Sequence, residues 1–177
     1  WHCSRLLGCR ISRVRHSYLV VKGWPEGLCP EHIYTMEQGY LALHPTTVRI
    51  RRETERGGIT AYILCFKGKG GLVREEIEVS IDETLFERLR VLIGLPLIRK
   101  ERRDYLLPDG RTLEVNEVDA GAPGTFFYAE VEFPTVEASE VWSPEAAGLA
   151  SYLADEVTEK QGVSMGAYWE RTRYDVQ

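Results

Sequence analysis

Apolar and polar positions alternate with period two in stretch after stretch of this chain, as they do in half-buried strands. Residues 18–22 (YLVVK), 38–43 (QGYLAL) and 48–53 (VRIRRE) are the first three. The Gly57-Gly58 pair predicts a hairpin turn into Thr60–Lys67, and GKGG at 68–71 predicts another into 72–80. The period then changes. Over 82–93, Leu85, Phe86, Leu89, Leu92 and Ile93 fall on one helical face, with Asp82 as N-cap and Gly94 as stop. Strand periodicity resumes at 97–106, breaks at Pro108-Asp109-Gly110, and continues through Thr112–Val118 and Phe126–Phe133. Ser143-Pro144-Glu145 predicts a second helix, capped by Ser143 and running to about Glu156, and a short third is expected over 166–173.

The polar side of these strands carries full charges. Arg49 and Arg51 share a face opposite Val48 and Ile50, and Lys67 closes its strand. Arg74, Glu76 and Glu78 share another, as do Lys100 and Arg102, and Glu130 and Glu132. An antiparallel sheet with one solvated, salt-bridged face would show such alternation. Yet the charges come in same-sign pairs two residues apart and segregate by strand, whereas a solvated face usually interleaves signs. Were the sheet closed into a barrel, all these faces would meet in one lumen. Arginine and lysine there would grip phosphate oxygens, and carboxylates would hold a hard divalent cation.

Composition narrows the partners. The 177 residues are 44% hydrophobic and 28% charged, which fits one folded domain over 1–177 and excludes a disordered chain. A net charge of −5 gives no bulk footprint for a nucleic acid polymer or an anionic membrane, so any polyanion must be held by a concentrated local site. Four irregularly spaced cysteines, at 3, 9, 29 and 65, suggest reduced thiols in a cytoplasmic setting rather than a zinc site. The longest apolar run, near 91–98, is too short to span a bilayer, and WHCSRLLGCR makes a poor signal peptide. There is no P-loop and no G-x-G-x-x-G. The tryptophans Trp24, Trp142 and Trp169 are expected to pack rather than stack on bases.

From about Tyr18 to Tyr174 the order of these segments resembles the CYTH family, also called triphosphate tunnel metalloenzymes, which includes inorganic triphosphatases, thiamine triphosphatases and class IV adenylate cyclases. QGYL (38–41) looks like the family's second strand, VRIR (48–51) its paired arginines and AYILCFKG (61–68) its strand ending in lysine. REEIE (74–78), KER (100–102) and AEVEF (129–133) are similar to its R-x-E-x-E, K-x-R and A-E-x-E, and EVT (156–158) to its late helical segment. The resemblance implies an α+β fold: an eight-stranded antiparallel β-barrel forming a tunnel, with flanking helices. It implies that Arg49, Arg51, Lys67, Arg74, Lys100 and Arg102 bind a triphosphate, that Lys67, Arg74 and Glu76 serve catalysis, and that Glu76, Glu78, Glu130 and Glu132 hold Mg²⁺ or Mn²⁺. The implied activity is metal-dependent hydrolysis of a triphosphate-bearing small molecule by a monomer or homodimer. A binding module without turnover and a class IV adenylate cyclase are the alternatives. The family's acidic residue after K-x-R falls within 114–119 (EVNEVD), with Asn116 where an Asp is usual and Asp119 able to substitute only if the loop shifts.

One departure is large. The family's first strand carries E-x-E-x-K, and aligned on Tyr18-Leu19-Val20 those positions are Arg13, Arg15 and Ser17. Both signature carboxylates are replaced by cations. Three readings stay open: a misread segment over 1–17, a tunnel that binds without cleaving, and a metal held by the other glutamates alone.

Overall fold

The computed structural model describes residues 9–175, and side chains from Ser12 onward. The readings that rest on residues 1–8, Cys3 among them, lie outside the described residues, as does the side chain of Cys9. Eight strands follow one another: β1 (Cys9–Val20), β2 (His32–Ala42), β3 (Thr47–Glu55), β4 (Thr60–Lys67), β5 (Val73–Ser80), β6 (Ile98–Leu106), β7 (Thr112–Val118) and β8 (Phe126–Phe133). Their order in the sheet is β5-β4-β3-β2-β6-β7-β8-β1, and β1 also pairs with β5, so the sheet closes on itself. All these pairings are antiparallel. The fold is thus the expected eight-stranded antiparallel barrel. Closure depends on β1, whose first half pairs with β5 (Arg13 opposite Arg74) and whose second half pairs with β8 (Arg15 opposite Glu132).

The apolar faces of the strands point outward and are covered from three sides. On one, Tyr18, Leu113, Val115, Val131 and Phe133 lie beneath Leu149 and Leu153 of the segment after β8. On another, α1 (Glu83–Ile93) sets Phe86 against Tyr62, with ring centroids 5.3 Å apart. Its caps are the expected ones: the Asp82 carboxylate accepts from the Leu85 amide, and Gly94 closes the helix in the left-handed region at φ 67°. The predicted apolar stripe is narrower than expected, since Phe86 is fully buried but Leu92 is 74% exposed. On the third, α2 gives way to α3: the short helices are α2 (Val136–Val141) and α3 (Met165–Trp169), the latter continued by a π-helical turn over Glu170–Tyr174. Trp169 is wholly buried against Tyr40, Ile98 and Val118. β2 comes so close there that a Cβ at Gly39 would stand 2.5 Å from Leu97 Cδ2.

Two expectations fail. The helix predicted over 143–156 does not form. Its turns are isolated (Leu149 N–H to Pro144 O, 2.8 Å; Leu153 N–H to Leu149 O, 2.8 Å), and Gly148 breaks them at φ 70°. The helix lies earlier, where the Thr135 hydroxyl caps the Ala138 amide. Asp155–Glu156 instead form β9, a two-residue strand beside β1 with Tyr18 opposite Glu156, so EVT is not helical. Strand β1 also reaches further upstream than 18–22, and β2 starts at His32 rather than near Gln38. Among the described residues, no helix is long and apolar enough to cross a membrane.

Candidate functional site

Because strand side chains alternate, one register fixes a whole face. Arg49 stands opposite Tyr40 and Cys65, Lys67 opposite Glu76, Arg102 opposite Asn116, and Glu130 opposite Ser17 and Glu114. Apart from Cys65, these residues line a cavity of about 630 Å³. Ten lysines and arginines and six glutamates line it, in a chain whose net charge is −5. The barrel therefore concentrates positive charge that bulk composition hides.

Each predicted residue lines this cavity: Arg49, Arg51, Lys67, Arg74, Lys100, Arg102, Glu76, Glu78, Glu130 and Glu132. Their partners differ. Arg49 is 5% exposed and Lys100 8%, and neither makes an ion pair among the described residues. Lys100 Nζ donates to the Tyr128 hydroxyl at 2.8 Å, while Arg49 Nε is buried with no acceptor. Burial, and then Arg49 and Arg51 nearby, hold the Lys100 ammonium well below its ordinary pKa. Buried cations without counter-ions are costly. Arg51 reaches Glu53 (2.9 Å), Arg102 reaches Asp104 (2.9 Å), and Arg74 donates to the Gly70 carbonyl (2.7 Å) at the rim. Lys67 lies 3.0 Å from Glu76, and burial together with Arg49 lowers its pKa to about 7.

The glutamates are arranged around two guanidiniums. Arg15 contacts Glu76 (3.4 Å), Glu130 (3.2 Å) and Glu132 (3.3 Å). Arg13 contacts Glu76 (3.1 Å), Glu132 (2.6 Å) and Glu78 (3.7 Å). Burial pushes the Glu76 and Glu130 carboxyls up. For Glu76 that is outweighed by Lys67 and Arg15, and for Glu130 by Arg15 and Lys67, so both are held at about 2. The carboxylates assigned to Mg²⁺ or Mn²⁺ by resemblance are thus already engaged. Among the described residues, the one group of three ligand atoms close enough to share an ion is Cys65, Glu76 and Glu78. A thiol is a poor ligand for either hard cation. At about 4 Å and an effective dielectric of about 20, two unit charges of like sign repel by about 4 kcal/mol, and a divalent ion doubles this. As they stand, these residues do not fit a divalent cation.

Residues not singled out beforehand complete the cavity. Tyr128 lines it, and so do Glu159 and Lys160 of the loop after β9; Asn116, expected where the family has an Asp, lines it too. The Glu159 carboxylate accepts from the Leu72 amide at 2.9 Å, tying that loop to the β4–β5 turn. Within 114–119, Glu114 lines the cavity, and burial, only partly offset by Arg102, raises its pKa to about 7. Asp119 is used elsewhere, accepting from the Tyr168 hydroxyl (2.6 Å) and pairing with Arg173 (3.1 Å). The alternation of β7 could have distinguished them, since Glu114 and Asn116 share a parity that Asp119 lacks. The tryptophans pack as expected, Trp24 beneath Arg103 and edge-on to Phe127.

The chain is 30% identical over 149 residues to an inorganic triphosphatase of Nitrosomonas europaea, a match covering 84% of this chain and 91% of that one. It belongs to the CYTH, or triphosphate tunnel metalloenzyme, family. No family model matches the chain. A crystal structure of an inorganic triphosphatase superposes on this CYTH barrel with a TM-score of 0.60 at 26% identity, covering 89% of this chain and 94% of that one. A putative adenylyl cyclase from Hippeastrum, described as having dominant triphosphatase activity, shares the fold at 18% identity and a TM-score of 0.56, over 90% and 95% of the two chains.

Proposed function

We propose that the CYTH cavity binds the triphosphate group of a small molecule, inorganic or organic, and hydrolyses its terminal anhydride. The observation that carries this is the pair of buried cations without counter-ions, Arg49 and Lys100, inside a cavity rich in positive charge. Phosphate oxygens would supply what they lack, with Arg51, Lys67, Arg74 and Arg102 neutralising the rest of the chain of phosphates. Phosphoryl transfer depends mainly on such positioning and charge stabilisation. Water would bond to the terminal phosphorus as the bridging P–O bond breaks, the bond's electron pair leaving with inorganic diphosphate or with the organic diphosphate. Glu76 and Glu130, held at about 2, are too weakly basic to take the water's proton, whereas Glu114 at about 7 is matched to the task. Glu76 instead fixes Lys67 in place. No step is drawn through Mg²⁺ or Mn²⁺, because the glutamates that would hold either are paired with Arg13 and Arg15. We take the protein to act in the cytoplasm, as a monomer or homodimer, on a small molecule rather than on nucleic acid or a membrane.

Those two arginines also favour a second reading, in which the tunnel binds without turnover. Calorimetry and phosphate release with tripolyphosphate, ATP and thiamine triphosphate, each with and without Mg²⁺ or Mn²⁺, separate the two. Released phosphate supports hydrolysis, and binding without product supports the second reading. Cyclic AMP from ATP would make the protein a cyclase, and absence of binding to all three compounds overturns the site.

A further inference from the structure

We infer that Arg13 and Arg15 replace a divalent ion in this tunnel, so that the triphosphate is bound without metal. This rests on the triphosphate reading above and adds to it what neutralises the glutamates. Two guanidiniums carry the charge of one divalent cation. Together they contact all four glutamates that a metal would need: Glu76 and Glu132 are shared by both, Glu130 is reached by Arg15, and Glu78 is reached by Arg13 as well as by Arg51 (3.6 Å). They are covalently part of β1, at register positions opposite Arg74 and Glu132, so their charge is present whatever the solution contains. Arg15 is 18% and Arg13 22% exposed, which places them at the glutamates and not in bulk solvent. With Lys67 at Glu76 (3.0 Å) and Arg51 at Glu78 (3.6 Å), four cations face these four carboxylates. A phosphate chain entering the cavity therefore meets carboxylates that are already paired, and meets Arg49 and Lys100, which make no ion pair among the described residues.

Two titrations of the full chain test this. In the first, tripolyphosphate is titrated calorimetrically into protein in EDTA. Binding should be at least as tight as in Mg²⁺, where the cation competes for the phosphate. Binding that appears only when Mg²⁺ or Mn²⁺ is added overturns the inference while leaving the triphosphate site standing. No binding in either buffer overturns the triphosphate reading itself, and the inference with it. In the second, Mn²⁺ alone is titrated and followed by loss of its free electron-spin signal. No binding is expected up to millimolar Mn²⁺, and saturable binding at micromolar concentration would sink the proposal. This readout needs no variant to fold. The double variant Arg13→Glu, Arg15→Glu reads the converse: it should weaken tripolyphosphate binding in EDTA by tenfold or more, with Mn²⁺ restoring it. Undiminished binding by the variant in EDTA would also count against the inference.

Discussion

Two walls of the same cavity handle charge in opposite ways. On β3 and β6, Arg49 and Lys100 are buried with no carboxylate beside them. On β1, β5 and β8, Glu76, Glu78, Glu130 and Glu132 are held by Arg13 and Arg15, with Lys67 adding a third cation at Glu76. The second wall is internally complete, so its charges stabilise the fold and leave little for a ligand. The first wall is incomplete, so its charges strain the fold and favour a ligand. Removing a charge should thus have opposite consequences on the two walls.

The largest effect belongs to Glu76→Gln. Glu76 is 2% exposed and neutralises three cations, Arg13, Arg15 and Lys67. Breaking a buried ion pair from one side costs about 3–5 kcal/mol. Urea denaturation should show a loss of that order. An unchanged midpoint would mean that the second wall does not hold the barrel together.

Lys100→Met should do the reverse. It keeps the stem, removes one unmatched charge and leaves the Tyr128 hydroxyl a modest loss. Stability should hold or rise, while tripolyphosphate affinity falls about 10- to 100-fold, the worth of one charge-assisted hydrogen bond. A destabilised protein that still binds would show that Lys100 is structural.

The barrel's elements were legible because alternation and hairpin turns are local signals, and β2 to β8 follow them. The charged face was legible for the same reason. Compensation was not. That Arg13 and Arg15 reach into the glutamates of β5 and β8 depends on the closing register of β1, and the segment before Tyr18 has no recognisable family pattern. The helix expected at 143–156 failed because a good N-cap signal, Ser143-Pro144, cannot outweigh a left-handed Gly148 and two leucines anchored to the core by separate turns. Glu114 was not separated from its neighbours in 114–119 because its place in the cavity comes from parity on β7, and its basicity from burial that no sequence shows.

Smaller still is a pH effect at Lys67, the cation that joins Arg13 and Arg15 at Glu76. Lys67 is lowered to about 7, so between about pH 7 and its unfolded value near 10.5 the unfolded chain binds more protons. Lys67 thus lowers stability most at or below pH 7, and that penalty lifts as pH rises to 10.5. For an anionic ligand the sign inverts: above pH 7 Lys67 loses its charge and Glu114, also at about 7, gains one. Tripolyphosphate affinity should fall from pH 7 to 9, by up to about tenfold per proton taken up and per pH unit. In Lys67→Met the slope should flatten, and if it does not, titration of the phosphate itself is what is being read.

The smallest effect is expected at Glu132→Gln, and it isolates why the second wall is strong. Glu132 touches the same two arginines as Glu76, at 2.6 Å and 3.3 Å, so contact geometry alone would predict an equal loss. Burial separates them: Glu132 is 38% exposed against 2% for Glu76. Water screens the outer pair and can solvate an arginine left behind, so the loss should be within about 1 kcal/mol. Glu76 has less recourse, because Lys67 and both arginines lose a shared counter-ion that is itself only 2% exposed. Removing a negative charge from the cavity should also tighten tripolyphosphate binding slightly, about two- to fivefold on the scale of a screened surface pair. Urea denaturation of the two glutamine variants side by side decides the matter. Equal losses would mean that ion-pair contact, and not burial, sets the strength of this wall.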